Sequence, residues 1–178
     1  MHINKSFINI IKTYINSKMN LFKSRRVKIL TYSFYIVLLD QLSKFLVLIT
    51  LGFERSKNII PNLLNFTLVK NKGAAFSLFS NFTNILTITS ILASILLIIF
   101  ILKFPPKSIW NLTGLAYLLG GTIGNGIDRV FKGYVIDFLE LVTINFPIFN
   151  IADISINIAI LCFLIDLIKN KYKSRIKY

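Results

Sequence analysis

Cysteine, histidine and acid are the scarce side chains of this sequence: one Cys, one His and seven Asp plus Glu in 178 residues. Cys162 sits alone inside an apolar block, so no disulfide framework exists within the chain. His2 lies near the start, and a Ser-His-Asp triad, a thiol-based catalytic pair and a His or Cys zinc site all lack their parts. Chemistry is left to carboxylates, hydroxyls and lysines. Charged residues of both signs make up only 16% of the chain, and no internal repeat or low-complexity linker divides it.

Apolar residues fill the space, at 54% of the chain with a mean hydropathy of +0.68. They arrive in blocks near 27–53, 82–104, 110–130 and 147–167, each close to the ~20 residues that a bilayer-crossing helix needs. The expected fold class is an all-α membrane protein with four transmembrane helices. The net charge of +14 could suggest nucleic acid, but the positives are misplaced for it. Seven lie between Lys5 and Lys28 and five between Lys169 and Lys177, just outside spans, where cytoplasmic Lys and Arg belong. Both termini are therefore expected in the cytoplasm, and no nucleic-acid partner is expected.

Three stretches follow. Residues 1–26 form a basic extension, either an interfacial helix or a basic tail; 27–168 form the four-helix membrane domain; 169–178 form a basic cytoplasmic tail. The first apolar block lacks a small-x-small cleavage site and reads as a span rather than a signal peptide. Of the loops, 52–81 is expected outside, with Phe66, Thr67 and Val69 favouring extended structure before a turn at Gly73, hence a small extracytoplasmic sheet. "KFPPKS" is a tight inner turn. Residues 131–146 return to the outside, and "FLELVTINFPIF" at 138–149 is too apolar for a free loop and is expected at the interface.

Ionisable groups within a membrane cost roughly 2.5–3.5 kcal/mol each at mid-helix, so each one asks for a reason. Asp40 and Lys44 are four apart on one helix face, as a structural ion pair or as part of a site. Gly120 and Gly124 are one turn apart and would let a neighbouring helix approach closely. Asn125, Asp128 and Arg129 cluster near the outer end of the third span, where Asp128 beside Arg129 suggests a paired charge or an oxygen clamp. Asp137 and Asp153 lie at the two ends of "VFKGYVIDFLELVTINFPIFNIADIS", where the chain returns both to the outer side. If they meet in a low-dielectric site, one proton is shared between them, the condition that aspartic proteases use to activate water. Spacing alone leaves two unrelated surface carboxylates as the alternative.

The motifs "DQLSK" at 40–44, "NKGAAFS" at 71–77, "GGTIGNGIDRVFKGYVIDF" at 120–138 and "FNIAD" at 149–153 resemble, in that order, the lipoprotein signal peptidase (signal peptidase II) family. The resemblance implies a four-helix membrane aspartyl endopeptidase that cuts prolipoproteins just before a diacylglyceryl-modified cysteine, with no metal and no cofactor. It places the catalytic pair on Asp137 and Asp153, not on Asp128. It also implies that Asn71, Asn125, Arg129 and Asn150 line the site along with Asp128, whereas Asp40 and Lys44 either touch substrate or brace the bundle. Implied partners are lipid-modified prolipoproteins and membrane lipids. The implied setting is a monomer in the bacterial cytoplasmic (inner) membrane, with its active site on the extracytoplasmic side. Three departures stand out: the basic extension is long, Gly126 replaces a larger apolar residue, and the interval from Asp137 to Asp153 is short. Two rival readings remain, a proton-coupled transporter using Asp40, Asp128 and Asp153 as a relay, and a binder that captures lipidated precursors uncut.

Overall fold

Long apolar stretches with few charges form helices because a helix satisfies its backbone polar groups within one segment. The computed structural model, which describes residues 5–73, 82–144 and 146–175, contains four of them: α1 (Lys5–Leu51), α2 (Thr83–Lys103), α3 (Ile109–Lys132) and α4 (Ile151–Arg175). Three strands complete the described residues: β1 (Ser56–Ile60), β2 (Leu64–Asn71) and β3 (Val135–Leu141). Residues 74–77 of "NKGAAFS", Asn145 of the second outer loop, and the extremes 1–4 and 176–178 lie outside the described residues.

Three of these helices are long and apolar enough to cross a membrane: Lys12–Leu51 within α1, α2 itself, and Ile151–Tyr172 within α4. α3 lacks a comparably apolar stretch because it is the hub, packing against α1, α2 and α4 and turning glycines and polar side chains toward them. Its ends follow local rules. The Ser108 side chain accepts from Trp110 N at 3.1 Å, and Gly133 closes the helix in the left-handed conformation (φ 73°) with its N–H on Arg129 O.

The close approach expected at Gly120 and Gly124 is made by α1. A Cβ on Gly120 would fall 2.7 Å from Ile36 Cβ, and one on Gly124 would fall 2.7 Å from Asp40 Oδ2. Ser33 Oγ donates across the same seam to Ala116 O at 3.0 Å. Where α2 turns into α3, Ile29, Ile101, Leu112, Leu115, Ala116 and Leu119 form a buried cluster. Here Arg25 Nη1 donates to Pro106 O at 2.7 Å and also to Lys107 O, tying α1 to the turn.

At the other end the strands form an antiparallel sheet of order β1-β2-β3, seated on α1 by Val47, Leu68, Ile136, Phe138 and Leu139. Phe66 and Phe138 meet edge to face at 5.5 Å across β2 and β3. The second outer loop thus differs from expectation: residues 135–141 form the third strand rather than a loop. Its first five residues are all buried, so it shows no alternation and reads in sequence as one more apolar run. The fourth helix also begins later than expected, at Ile151 rather than near Pro147. Phe149 is instead held by a bridge to Leu139, with Phe149 N donating to Leu139 O at 3.1 Å. Asp153 therefore lies in the first turn of α4, not two turns in. α1 runs without interruption from Lys5 through the boundary at residues 26 and 27.

The glycine seam carries a prediction. Gly120→Val must push α1 off α3 and should destabilise the folded protein in detergent by about 1–3 kcal/mol, read as a lower thermal midpoint. Gly126→Ala, whose Cβ would sit 3.5 Å from Ser90 Cβ in ordinary contact, should leave that midpoint unchanged.

Candidate active site

Sheet register sets the first carboxylate. β2 pairs with β3 through Val69 opposite Asp137 and Asn71 opposite Val135, so Asn71 is the diagonal neighbour of Asp137 on one face. Asn71 Nδ2 donates to Asp137 Oδ2 at 2.8 Å. The second carboxylate is set by the start of α4. Asn150 and Asp153 form a reciprocal cap: Asp153 N donates to Asn150 Oδ1 at 3.0 Å, and Asn150 N donates to Asp153 Oδ2 at 3.1 Å. The remaining end of the Asn150 amide, Nδ2, donates to Asp137 Oδ1 at 2.7 Å. One asparagine therefore holds both aspartates in the same place.

Asn125 on α3 completes the set, with Nδ2 on Asp153 Oδ1 at 2.8 Å. Each of the four carboxylate oxygens receives one N–H donor. Both aspartates face a cavity of about 910 Å³ whose polar wall also includes Asn71, Asn125 and Arg129, set among apolar residues such as Val69, Phe149 and Ile156. Burial, and next the neighbouring charge of Asp153, raise the Asp137 carboxyl to about 7. The hydrogen bonds from Asn71 and Asn150 and the charge of Lys44 oppose that rise.

Behind this wall lies a second polar layer. Asp40, Lys44, Asp128 and Asn150, expected as site residues, are all 0% exposed and do not border the cavity. Lys44 Nζ meets Asp40 Oδ2 at 2.8 Å, Asp128 Oδ2 at 2.9 Å and Asn125 Oδ1 at 3.0 Å. Asp40 Oδ1 accepts Ala152 N at 2.9 Å, capping α4 from α1. Asp128 Oδ2 accepts Ile136 N at 3.2 Å, fixing β3 next to Asp137.

Of the two readings of Asp128 beside Arg129, a paired charge and an oxygen clamp, the paired charge does not form, because consecutive residues on a helix point in different directions. Asp128 turns inward to Lys44 and, at 2.7 Å, to Lys132. Arg129 turns to the cavity wall, with Nη2 on Gly73 O at 3.2 Å and Nη1 on Ser90 Oγ at 3.4 Å. Ser90 and Gln41 escape sequence reasoning. Gln41 Nε2 bridges Asp40 Oδ2 and Gly124 O at 3.1 and 3.0 Å, and it sits inside the motif "DQLSK", the one signal that could have found it. Ser90 is one hydroxyl in an apolar helix and gives no such signal. No group of three or more His, Cys, Asp or Glu among the described residues could hold a metal ion.

Comparison with known proteins agrees with this architecture. The family profile described as signal peptidase (SPase) II matches residues 32–169. A lipoprotein signal peptidase from Parasynechococcus marenigrum is 46% identical over 151 residues, covering 85% of this chain and 95% of the relative. One from Enterococcus faecalis is 40% identical over 130 residues, covering 73% and 81% respectively. A solved bacterial membrane enzyme superposes with a TM-score of 0.74 at 32% identity, over 80% of this chain and 88% of the other. On the strength of the matched length, the identity and the shared fold, this chain belongs to the signal peptidase II family.

Proposed function

We propose that this chain is a membrane aspartyl endopeptidase that removes the signal peptide from prolipoproteins, cutting before a diacylglyceryl-modified cysteine with Asp137 and Asp153 as the catalytic pair. Membership of a family of signal peptidases gives the class, a bacterial membrane protease that processes lipoproteins. The observation that carries the finer reading is the pair of carboxylates bridged by Asn150 at the wall of one large, mostly apolar cavity.

The two carboxylates have different surroundings and hence different tasks. Asp153 sits in the first turn of α4, where its carboxylate accepts the Asn150 backbone N–H and the Asn125 amide at the cavity wall. Asp137, on a buried strand and held only by side-chain amides, keeps its proton up to about pH 7. Asp153 then takes a proton from water as the water oxygen bonds to the scissile carbonyl carbon, and Asp137 gives its proton to the carbonyl oxygen. The C–N bond breaks as Asp153 passes its proton to the leaving amine of the cysteine and the intermediate returns one to Asp137. Arg129, at the cavity wall, steadies the developing oxyanion or the substrate backbone.

The cavity borders Ser90 on α2 and Ile156 and Asn157 on α4, and the outward faces of both helices carry exposed Ile and Leu. That supports a substrate that slides in sideways with its acyl chains still in lipid. α3 serves as the fourth span. The sheet and the site face the extracytoplasmic side of the inner membrane, and the basic ends lie in the cytoplasm. The protein acts as a monomer among membrane lipids.

Asp137→Asn and Asp153→Asn should each cut a diacylglyceryl-modified precursor at least about 10²-fold more slowly while keeping the wild-type thermal midpoint. Wild-type cleavage by either variant refutes the assignment. The pH profile gives a separate check. Because Asp137 must hold its proton, kcat/KM should fall as pH rises through about 7. Asn71→Ala removes a donor that favours the ionised form of Asp137, so it should move that fall to higher pH. A shift to lower pH, or none, would contradict the role given to the Asn71 amide.

A further inference from the structure

We infer that Lys44 is a positioning residue for the reaction: its ammonium fixes which way the Asn125 side-chain amide faces, and so decides that Asp153 meets a hydrogen-bond donor rather than a second lone pair. The inference rests on the catalytic reading of the aspartate pair and adds a residue that neither borders the cavity nor can touch substrate there.

An asparagine amide has two ends of opposite character, a donating NH2 and an accepting oxygen, and nothing in its own shape chooses between them. Here the choice is forced from behind. A lysine ammonium has three hydrogens and no lone pair. Two of those hydrogens are directed to Asp40 and Asp128, and the third points at Asn125 at 3.0 Å. Only the amide oxygen can accept it. Asn150 Nδ2 reaches the same oxygen, also at 3.0 Å. With the oxygen claimed on that side, the NH2 of Asn125 must face forward, where it lies 2.8 Å from Asp153 Oδ1.

The influence extends to the other carboxylate. The Asn125 oxygen holds Asn150 Nδ2, and that nitrogen is the donor to Asp137 Oδ1. Lys44 thus sets the Asn125 amide together with Asn150, whose own amide is turned by Asp153 N on its oxygen. Without the ammonium, the Asn125 oxygen keeps only the neutral donor Asn150 Nδ2, and the amide is freer to turn over and place its oxygen against the Asp153 carboxylate. That repulsion would displace the base from the attacking water.

The test is a kinetic cycle on full-length protein in lipid, using a diacylglyceryl-modified precursor. The variants are Lys44→Met, Asn125→Leu and the two combined, with Asp137→Asn as the control for the dyad itself. Lys44→Met leaves two carboxylates without their shared cation. Should it fail to fold, Asp40→Asn/Lys44→Met takes its place, since an asparagine at position 40 still accepts Ala152 N and Asp128 keeps Lys132. Each single change should lower kcat by roughly 10²-fold, the scale of a misplaced catalytic group. KM should stay within about twofold, because the lost contact serves the transition state rather than substrate binding.

The combination should be no slower than either change alone, since Lys44 acts through Asn125. Multiplying effects, or a rise in KM at constant kcat, would overturn the inference and leave Lys44 a brace for the bundle. If Asp137→Asn cleaves normally, it is the dyad reading that falls instead.

Discussion

A cation removed from water must be matched contact for contact, and the ammonium of Lys44 is matched by three side chains on two helices. Asp40 comes from its own helix, while Asp128 and Asn125 come from α3. The two aspartates then spend their other oxygen lone pairs on backbone N–H groups, Asp40 on Ala152 of α4 and Asp128 on Ile136 of β3. Removing one partner of such a cluster strands a buried charge at a cost of about 3–5 kcal/mol, so the cluster forms whole or the ends of β3 and α4 are not fixed. Those two elements carry Asp137 and Asp153. The residues closest to the proposed chemistry are thereby hung from a charge cluster one layer behind it.

Packing serves the same end. Gly120 and Gly124 let α1 lie close enough to α3 for Lys44 to reach Asn125, and a side chain at Gly124 would occupy the place of the Asp40 carboxylate. The sheet contributes from the opposite side, because its register alone puts Asn71 against Asp137. Apolar contacts beneath the sheet, from Leu68, Ile136 and Phe138 to Val47, seat that register on α1. Helix spacing and strand register thus converge on amide donors aimed at carboxylate oxygens. Fixed dipoles of this kind are what a site needs in order to hold one proton between two acids.

Much of this was legible in the residues, and the illegible part has physical causes. Apolar length marked out the four helices, three of which are long and apolar enough to cross a bilayer. The spacing of Asp40 and Lys44 announced their ion pair, and the glycine spacing announced a close helix contact. β3 was hidden because a strand buried on both faces has no period of two. The capping role of Asn150 was written in the sequence as Asn-x-x-Asp, yet it becomes readable only once α4 is known to begin at Ile151. The third contact of Lys44, with Asp128, joins residues 84 positions apart by number and leaves no local trace. That contact also weakens the relay alternative, since Asp40 and Asp128 are each committed to Lys44 rather than strung toward a channel.

The account depends on one hydrogen ion resident on Asp137 beside the Asp153 carboxylate. Infrared difference spectroscopy of the membrane-reconstituted protein, wild type minus Asp137→Asn, reads that proton directly through the carbonyl stretch of a protonated carboxyl group. The account predicts such a band below the carboxyl's value of about 7, fading as pH rises through it and absent from the variant. A wild-type spectrum without the band at mildly acidic pH, or with a band that the substitution leaves in place, would contradict it.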